Sequence, residues 1–146
     1  MHILECGPDQ LDLVAPLFDA YRVFYDQPSD PAAARDFLRA NLEGRRSRVF
    51  MLTDEGRAVA FAQLYPTYCS IALRPFFYLS DLFCDPAARR KGHARTLMRH
   101  LIEVFGQLDV HRLTLETAIT NHAAQRLYES LGYERDGVFL TYHRLL

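Results

Sequence analysis

Twelve consecutive residues, Asp85-Pro86-Ala87-Ala88-Arg89-Arg90-Lys91-Gly92-His93-Ala94-Arg95-Thr96, concentrate the chemistry that this sequence offers. Arg89, Arg90, Lys91 and Arg95 put four positive charges within seven residues, while Gly92 and Ala94 keep the main chain approachable between them. An apolar run enters the segment and a long amphipathic pattern leaves it, so the basic residues fall at the start of a helix. The first turn of a helix has N–H groups without partners and carries the positive end of the macrodipole. Cations placed there oppose that dipole, at roughly a few tenths of a kcal/mol each. The cluster is either a solvated helix start or the seat of a bound anion. In the second reading the segment is a cradle for a phosphate or pyrophosphate. It is neither a GxxxxGK loop nor a GxGxxG turn.

Two carboxylates and a phenol are the other candidates. Asp81 interrupts the apolar run Phe76-Phe-Tyr-Leu-Ser-Asp-Leu-Phe-Cys84, and a charge in a buried strand needs a reason. Glu116 ends the run Leu113-Thr-Leu-Glu. Each carboxylate suits a general base, and each equally suits a structural partner for an arginine. Tyr128 lies on the core side of a helical pattern, where a tyrosine either packs or serves as an acid with a pKa near 10. Cys84, at the end of a buried strand, reads as an inert thiol rather than a nucleophile. The six histidines show no HExxH spacing and the three cysteines no CxxC pair, so no metal site is expected.

The elements that must position these groups follow from periodicity. Residues 2–6 form a short opening strand. Val14, Leu17, Phe18, Tyr21 and Tyr25 recur at helical spacing, with Pro16 marking a start or a kink. Asp30-Pro31 caps a second helix that stops at Gly44. Arg48–Thr53 and Arg57–Tyr65 form a hairpin around Asp54-Glu55-Gly56. Phe76–Cys84 reads as a central strand buried on both faces. A helix carrying Ala94, Leu97, Met98, Leu101, Phe105 and Leu108 follows the cradle. Next come a strand at Arg112–Glu116 and a helix over Asn121–Leu131 ending at Gly132. Val138–Leu145 is apolar enough for a last strand or hairpin. This order predicts one α+β domain over residues 1–146, built on a mixed sheet.

Composition narrows the function classes. A chain of 146 residues with 49% hydrophobic and 24% charged residues is an ordinary globular domain. Its 17 Lys and Arg against 18 Asp and Glu leave a net charge of −1, which argues against a nucleic-acid partner. No apolar run reaches the roughly 20 residues of a membrane span, and no leader pattern is present, so a cytoplasmic setting without membrane contact is expected.

Two segments carry a family resemblance. Arg89-x-x-Gly92-x-Ala94 resembles the R/Q-x-x-G-x-G/A signature of the GNAT superfamily of N-acetyltransferases. Asn121-His-Ala-Ala-Gln-Arg-Leu-Tyr128-Glu-Ser-Leu-Gly132-Tyr133 is similar to that family's N-x-x-A-x-x-L-Y-x-x-x-G-F/Y helix. Tyr21-Arg-Val-Phe-Tyr25 further resembles a small histone- and polyamine-acetylating subgroup. Ala94 replaces the commoner glycine, and Arg90 stands where many members have glycine, which would stiffen the loop.

The resemblance spans the whole chain. It implies a mostly antiparallel central sheet with about four helices around it, and acetyl-CoA as co-substrate. It places the pantetheine arm against the main chain of Leu82, Phe83 and Cys84. The pyrophosphate falls among Arg89, Arg90, Lys91, Gly92, His93, Ala94 and Arg95, and Asn121 touches the cofactor. Tyr128 becomes the general acid for the leaving thiolate, and Asp81 or Glu116 the general base. Tyr21 and Tyr25 would wall an amine substrate. The implied acceptor is a small-molecule amine or a lysine. The alternative is a non-catalytic module that binds acetyl-CoA. The apolar tail Val138–Leu146 suggests a homodimer.

Overall fold

The computed structural model describes residues 1–146. The chain divides into two compact units, Met1–Glu116 and Thr117–Leu146. The larger unit holds a five-stranded sheet in the order β1-β2-β3-β4-β5. Its elements are β1 (His2–Glu5), α1 (Leu11–Phe24), α2 (Pro31–Glu43), β2 (Arg48–Asp54), β3 (Arg57–Cys69), β4 (Arg74–Cys84), α3 (His93–Gly106) and β5 (Leu113–Leu115). The first four strands pair antiparallel, while β5 runs parallel to β4. The architecture is the expected α+β fold on a mixed, mostly antiparallel sheet. No helix is long and apolar enough to cross a membrane.

Local chemistry explains most boundaries. Helix α1 runs through Pro16 rather than starting there. The ring lies on the exposed face, so the carbonyl that loses its helical partner can still be hydrated. Asp30 caps α2 by accepting the Ala33 N–H at 3.1 Å. The β2–β3 turn uses Glu55 and Gly56, both at positive φ, as a two-residue hairpin loop requires. Strand β3 extends to Cys69, past the expected end at Tyr65, even though it contains Pro66. Pairing with β2 ends at Leu64, so beyond that point β3 is an edge where a missing N–H costs nothing. The core gathers Val14 and Phe18 of α1, Leu38 of α2, Met51 of β2, Phe61 of β3 and Phe83 of β4. Helix α3 turns Leu97, Met98, Leu101 and Phe105 inward.

Strand β4 departs from the expectation of burial on both faces. Its burial alternates, with Leu79, Asp81 and Phe83 inward and their neighbours half-buried. It pairs with β5 only over Phe77–Leu79, so its second half has a strand on one side alone.

In the smaller unit, α4 (His122–Ser130) begins on Asn121, whose Oδ1 accepts the Ala124 N–H at 3.1 Å. It ends with Gly132 at φ 91°, where Tyr133 N–H reaches Tyr128 C=O and Gly132 N–H reaches Glu129 C=O. The expected strand or hairpin at Val138–Leu145 does not form. The N–H groups of Val138 and Phe139 turn back onto Asp136 Oδ1, and the apolar side chains beyond are exposed. Apolar composition alone does not make a strand, which needs a neighbouring edge to pair with.

Candidate functional site

The cradle forms as its residues dictate. β4 ends at Cys84, and Asp85 caps a single helical turn at Pro86–Ala88 by accepting the Ala87 N–H at 3.0 Å. Arg90 and Gly92 then take positive φ, 65° and 77°, and turn the chain into α3. Gly92 is the N-cap of α3 and offers no side-chain acceptor, so the helix start is open to an outside anion. A Cβ at Gly92 would meet nothing within 4 Å, which leaves the turn open to a ligand. The exposed Arg90 and Lys91 and the half-buried Ala94 and Arg95 flank it. This arrangement fits a diphosphate group.

Two of the expected cradle side chains do not face the cradle freely: Arg89 is engaged elsewhere and His93 is buried. The Arg89 guanidinium stacks 5.3 Å from the Phe24 ring centre and 5.7 Å from that of Phe83, and its Nε donates to Cys84 C=O at 3.1 Å. Its side chain thus ties the loop to α1 and β4. His93 is only 5% exposed, and neither ring nitrogen has a hydrogen-bond partner. Asp54 Oδ2 lies 3.9 Å from its Nε2. Only the main-chain N–H of His93 can serve an anion.

Next to the cradle, β4 past Leu79 has no strand on its β5 side. The backbone of Leu82 and Cys84 is therefore bordered by a gap that an extended, amide-bearing chain can enter as a strand would. Phe83 points the other way, into the aromatic core against Phe61 and Tyr21. The Cys84 thiol is raised above its usual pKa, chiefly by burial, which keeps it neutral and unreactive.

Asp81 sits where β3 and β4 slip register, Gln63 facing Asp81 and Leu64 facing Leu79, so that Ser80 is the extra residue of a bulge. It is 6% exposed and is held by neutral donors. Gln63 Nε2 reaches Oδ2 at 2.5 Å and Ser80 Oγ reaches Oδ1 at 2.9 Å. The Tyr21 hydroxyl donates to Ser80 C=O at 3.3 Å, beside this carboxylate. Burial first, then Asp81, pushes the Tyr21 phenol well above its ordinary pKa, so it remains a donor. Burial, then the Glu116 and Asp81 charges, likewise raises Tyr78. The hydrogen-bond partners of Asp81 are an amide and a hydroxyl, not an arginine. Tyr25 is exposed, with its ring 5.0 Å from that of Tyr21.

Sequence reasoning missed Tyr78, Gln63, Asn41 and Ser47. Gln63 carried a signal: it is a lone amide in the apolar run Ala58-Val-Ala-Phe-Ala-Gln-Leu, as conspicuous as Asp81 in its own strand. The other three reach the site only through tertiary packing.

In the smaller unit, the Asn121 carbonyl is spent on the helix cap, leaving its amide NH2 as the part able to meet a ligand. The Tyr128 ring lies 6.0 Å from that of Tyr133. Burial, and next Tyr128, push the Tyr133 phenol up to about 12. No three His, Cys, Asp or Glu side chains gather as a metal site would require.

Residues 14–133 match the model of the acetyltransferase (GNAT) family. The chain is 39% identical over 142 residues to an uncharacterized N-acetyltransferase of Bacillus subtilis, YhfO, covering 97% of this chain and 95% of that protein. It is 31% identical over 124 residues to the ribosomal protein bS18-alanine N-acetyltransferase of Escherichia coli, covering 85% and 78% respectively. A crystal structure of a probable acetyltransferase superposes with a TM-score of 0.94 at 34% identity, over 100% of this chain and 98% of the other.

Proposed function

Since this chain belongs to the GNAT family of acetyltransferases, with acetyl-CoA as acyl donor, we propose that it transfers the acetyl group directly to a primary amine. The acceptor in this reading is a small polyamine-like or amino compound, or a lysine side chain. Acetyl-CoA supplies an acetyl group already activated as a thioester. The diphosphate is assigned to the Gly92 cradle with Arg90, Lys91 and Arg95 beside it. The pantetheine arm is assigned to the bare side of β4 at Leu82 and Cys84, with the Asn121 amide as a further contact.

The observation carrying the amine reading is the Asp81 carboxylate, only 6% exposed and held by the neutral donors Gln63 and Ser80, with Glu116 just past β5 as the second candidate. An amine with a pKa near 10.4 is only about 0.1% neutral near pH 7.4, a deficit of roughly 4 kcal/mol in available nucleophile. Two negative charges beside aromatic rings draw the ammonium form and offer its proton a place to go. The nitrogen bonds to the acetyl carbon as the carbon–sulfur bond breaks. The surplus amine proton passes to Asp81 or Glu116, and Tyr128 protonates the departing sulfur. The role of Tyr128 rests on its place in the N-x-x-A-x-x-L-Y helix.

The likeness to the bS18-alanine enzyme supports a second acceptor, the α-amine of a polypeptide. A thiol-release screen with spermidine, a lysine peptide and an alanine-ended peptide separates the two acceptor classes. Tyr128→Phe should lower the turnover it reveals while leaving acetyl-CoA affinity unchanged. Acetyl-CoA binding with no thiol released by any amine would overturn the proposal.

A further inference from the structure

Gln63 is wholly buried in the middle of the sheet, at 0% exposure, where an apolar side chain would cost less. Its Oε1 accepts from Ser47 Oγ at 2.7 Å and from Asn41 Nδ2 at 2.9 Å, and Asn41 Nδ2 also donates to the Tyr65 hydroxyl at 3.1 Å. With its oxygen taken from behind, the amide can present only its NH2 group to Asp81. Turning the amide over would set oxygen against oxygen, which only a protonated Asp81 could accommodate. Of about four acceptor positions on a carboxylate, Gln63 and Ser80 fill two. An incoming N–H can take another.

We infer that Gln63 is a positioning residue for acyl transfer: oriented by Ser47 and Asn41, it fixes Asp81 as a hydrogen-bond acceptor at the Ser80 bulge and leaves its other acceptor positions to the amine. The inference rests on the reading above in which Asp81 receives the amine's proton. The other ionisable groups bearing on Asp81 are Tyr21 of α1, Tyr65 of β3 and Tyr78 of β4, with Arg46 acting on Tyr65. All three phenols are raised, so none titrates at neutral pH. The amide chain is what sets the polarity around Asp81.

Two substitutions approach the chain from opposite ends. Gln63→Glu replaces the NH2 donor with a carboxylate beside Asp81, and two such groups in contact hold a proton between them. Asn41→Asp can only accept, which turns the Gln63 amide over and leaves its oxygen against Asp81. Infrared pH-difference spectra of the free protein should show a protonated carboxyl group near neutral pH in both variants, absent when Asp81→Asn is added.

With spermidine or the alanine-ended peptide as acceptor, the ratio of variant to wild-type kcat/KM cancels the amine's own ionisation. That ratio should fall by up to about tenfold per pH unit on the acid side. The KM for acetyl-CoA should stay within about twofold. A pH-independent ratio with no new carboxyl band, in whichever variant folds, would overturn the inference and leave Gln63 as packing. Wild-type turnover by Asp81→Asn would instead overturn the role of Asp81, whatever the spectra of the other variants show.

Discussion

Arg89 lies over Phe24, guanidinium carbon to ring centre 5.3 Å, and so the loop that opens the cradle leans on the last turn of α1. The planar guanidinium is bracketed by Phe24 and Phe83 while its Nε holds Cys84 C=O. A lysine keeps the charge but loses both the flat contact and the fixed hydrogen bond. Arg89→Lys should therefore weaken acetyl-CoA binding roughly fivefold to tenfold, about 1 kcal/mol, by loosening the loop. Phe24→Leu should reproduce part of that loss without touching any charge. Isothermal titration of both variants with acetyl-CoA provides the measurement, and equal wild-type affinities would mean the stacking is incidental.

Gly92 permits separate tests of strain and of site. Its φ of 77° disfavours any side chain, although a Cβ there would strike nothing. Gly92→Ala should cost roughly 1–2 kcal/mol of stability through backbone strain alone and retain measurable cofactor binding. Gly92→Asp carries the same strain plus a negative charge at the anion seat, and should abolish binding while melting close to the alanine variant. Comparing thermal denaturation with titration calorimetry distinguishes the two effects.

How much of this was legible beforehand depended on the range of the interaction. The helix cap at Asp30, the turn at Gly56 and the opening at Gly92 depend on neighbours a few residues away, and the sequence shows them directly. The run of β3 past Tyr65 was not legible, because the tolerance of Pro66 there depends on where β2 stops pairing. Asp81 stood out in its strand, but its partner Gln63 comes from β3 and the Tyr21 hydroxyl beside it, on Ser80 C=O, from α1, which only folding brings together. Arg89 looked like one more cradle cation, since nothing local announces that Phe24 will claim it. The tail misled in the opposite direction: Val138–Leu145 has the composition of a strand, but its first N–H groups turn back onto Asp136.

That tail carries the proposal of self-association. Val138, Phe139, Leu140, Tyr142, Leu145 and Leu146 are all exposed, a denser run of bare apolar surface than a monomer ordinarily tolerates. A second copy of the chain would cover them. Sedimentation velocity over a dilution series should show a dimer that dissociates on dilution. The double substitution Phe139→Asp and Leu140→Asp should leave a monomer at every concentration. A wild-type monomer throughout the series would remove the proposal.

Cys6 gives the protein an alkaline weakness whose sign can be worked out. The thiol is buried beside Glu5, and burial first, then that charge, moves its pKa from the usual 9.0 up to about 12. The folded state thus holds the proton more tightly than the unfolded chain does. Its contribution is fully present below pH 9 and is lost progressively as the pH rises from 9 toward 12. Three pKa units correspond to roughly 4 kcal/mol at most, a large part of the stability of a domain this size. Cys6→Ala removes the titrating group and leaves a small cavity, so it should be less stable than wild type at pH 8. Its stability should nevertheless decline less steeply with pH, and the gap should narrow or reverse by pH 11. Urea unfolding at one-unit steps from pH 8 to pH 11 measures both curves, and parallel declines would show that the thiol stays protonated equally in both states.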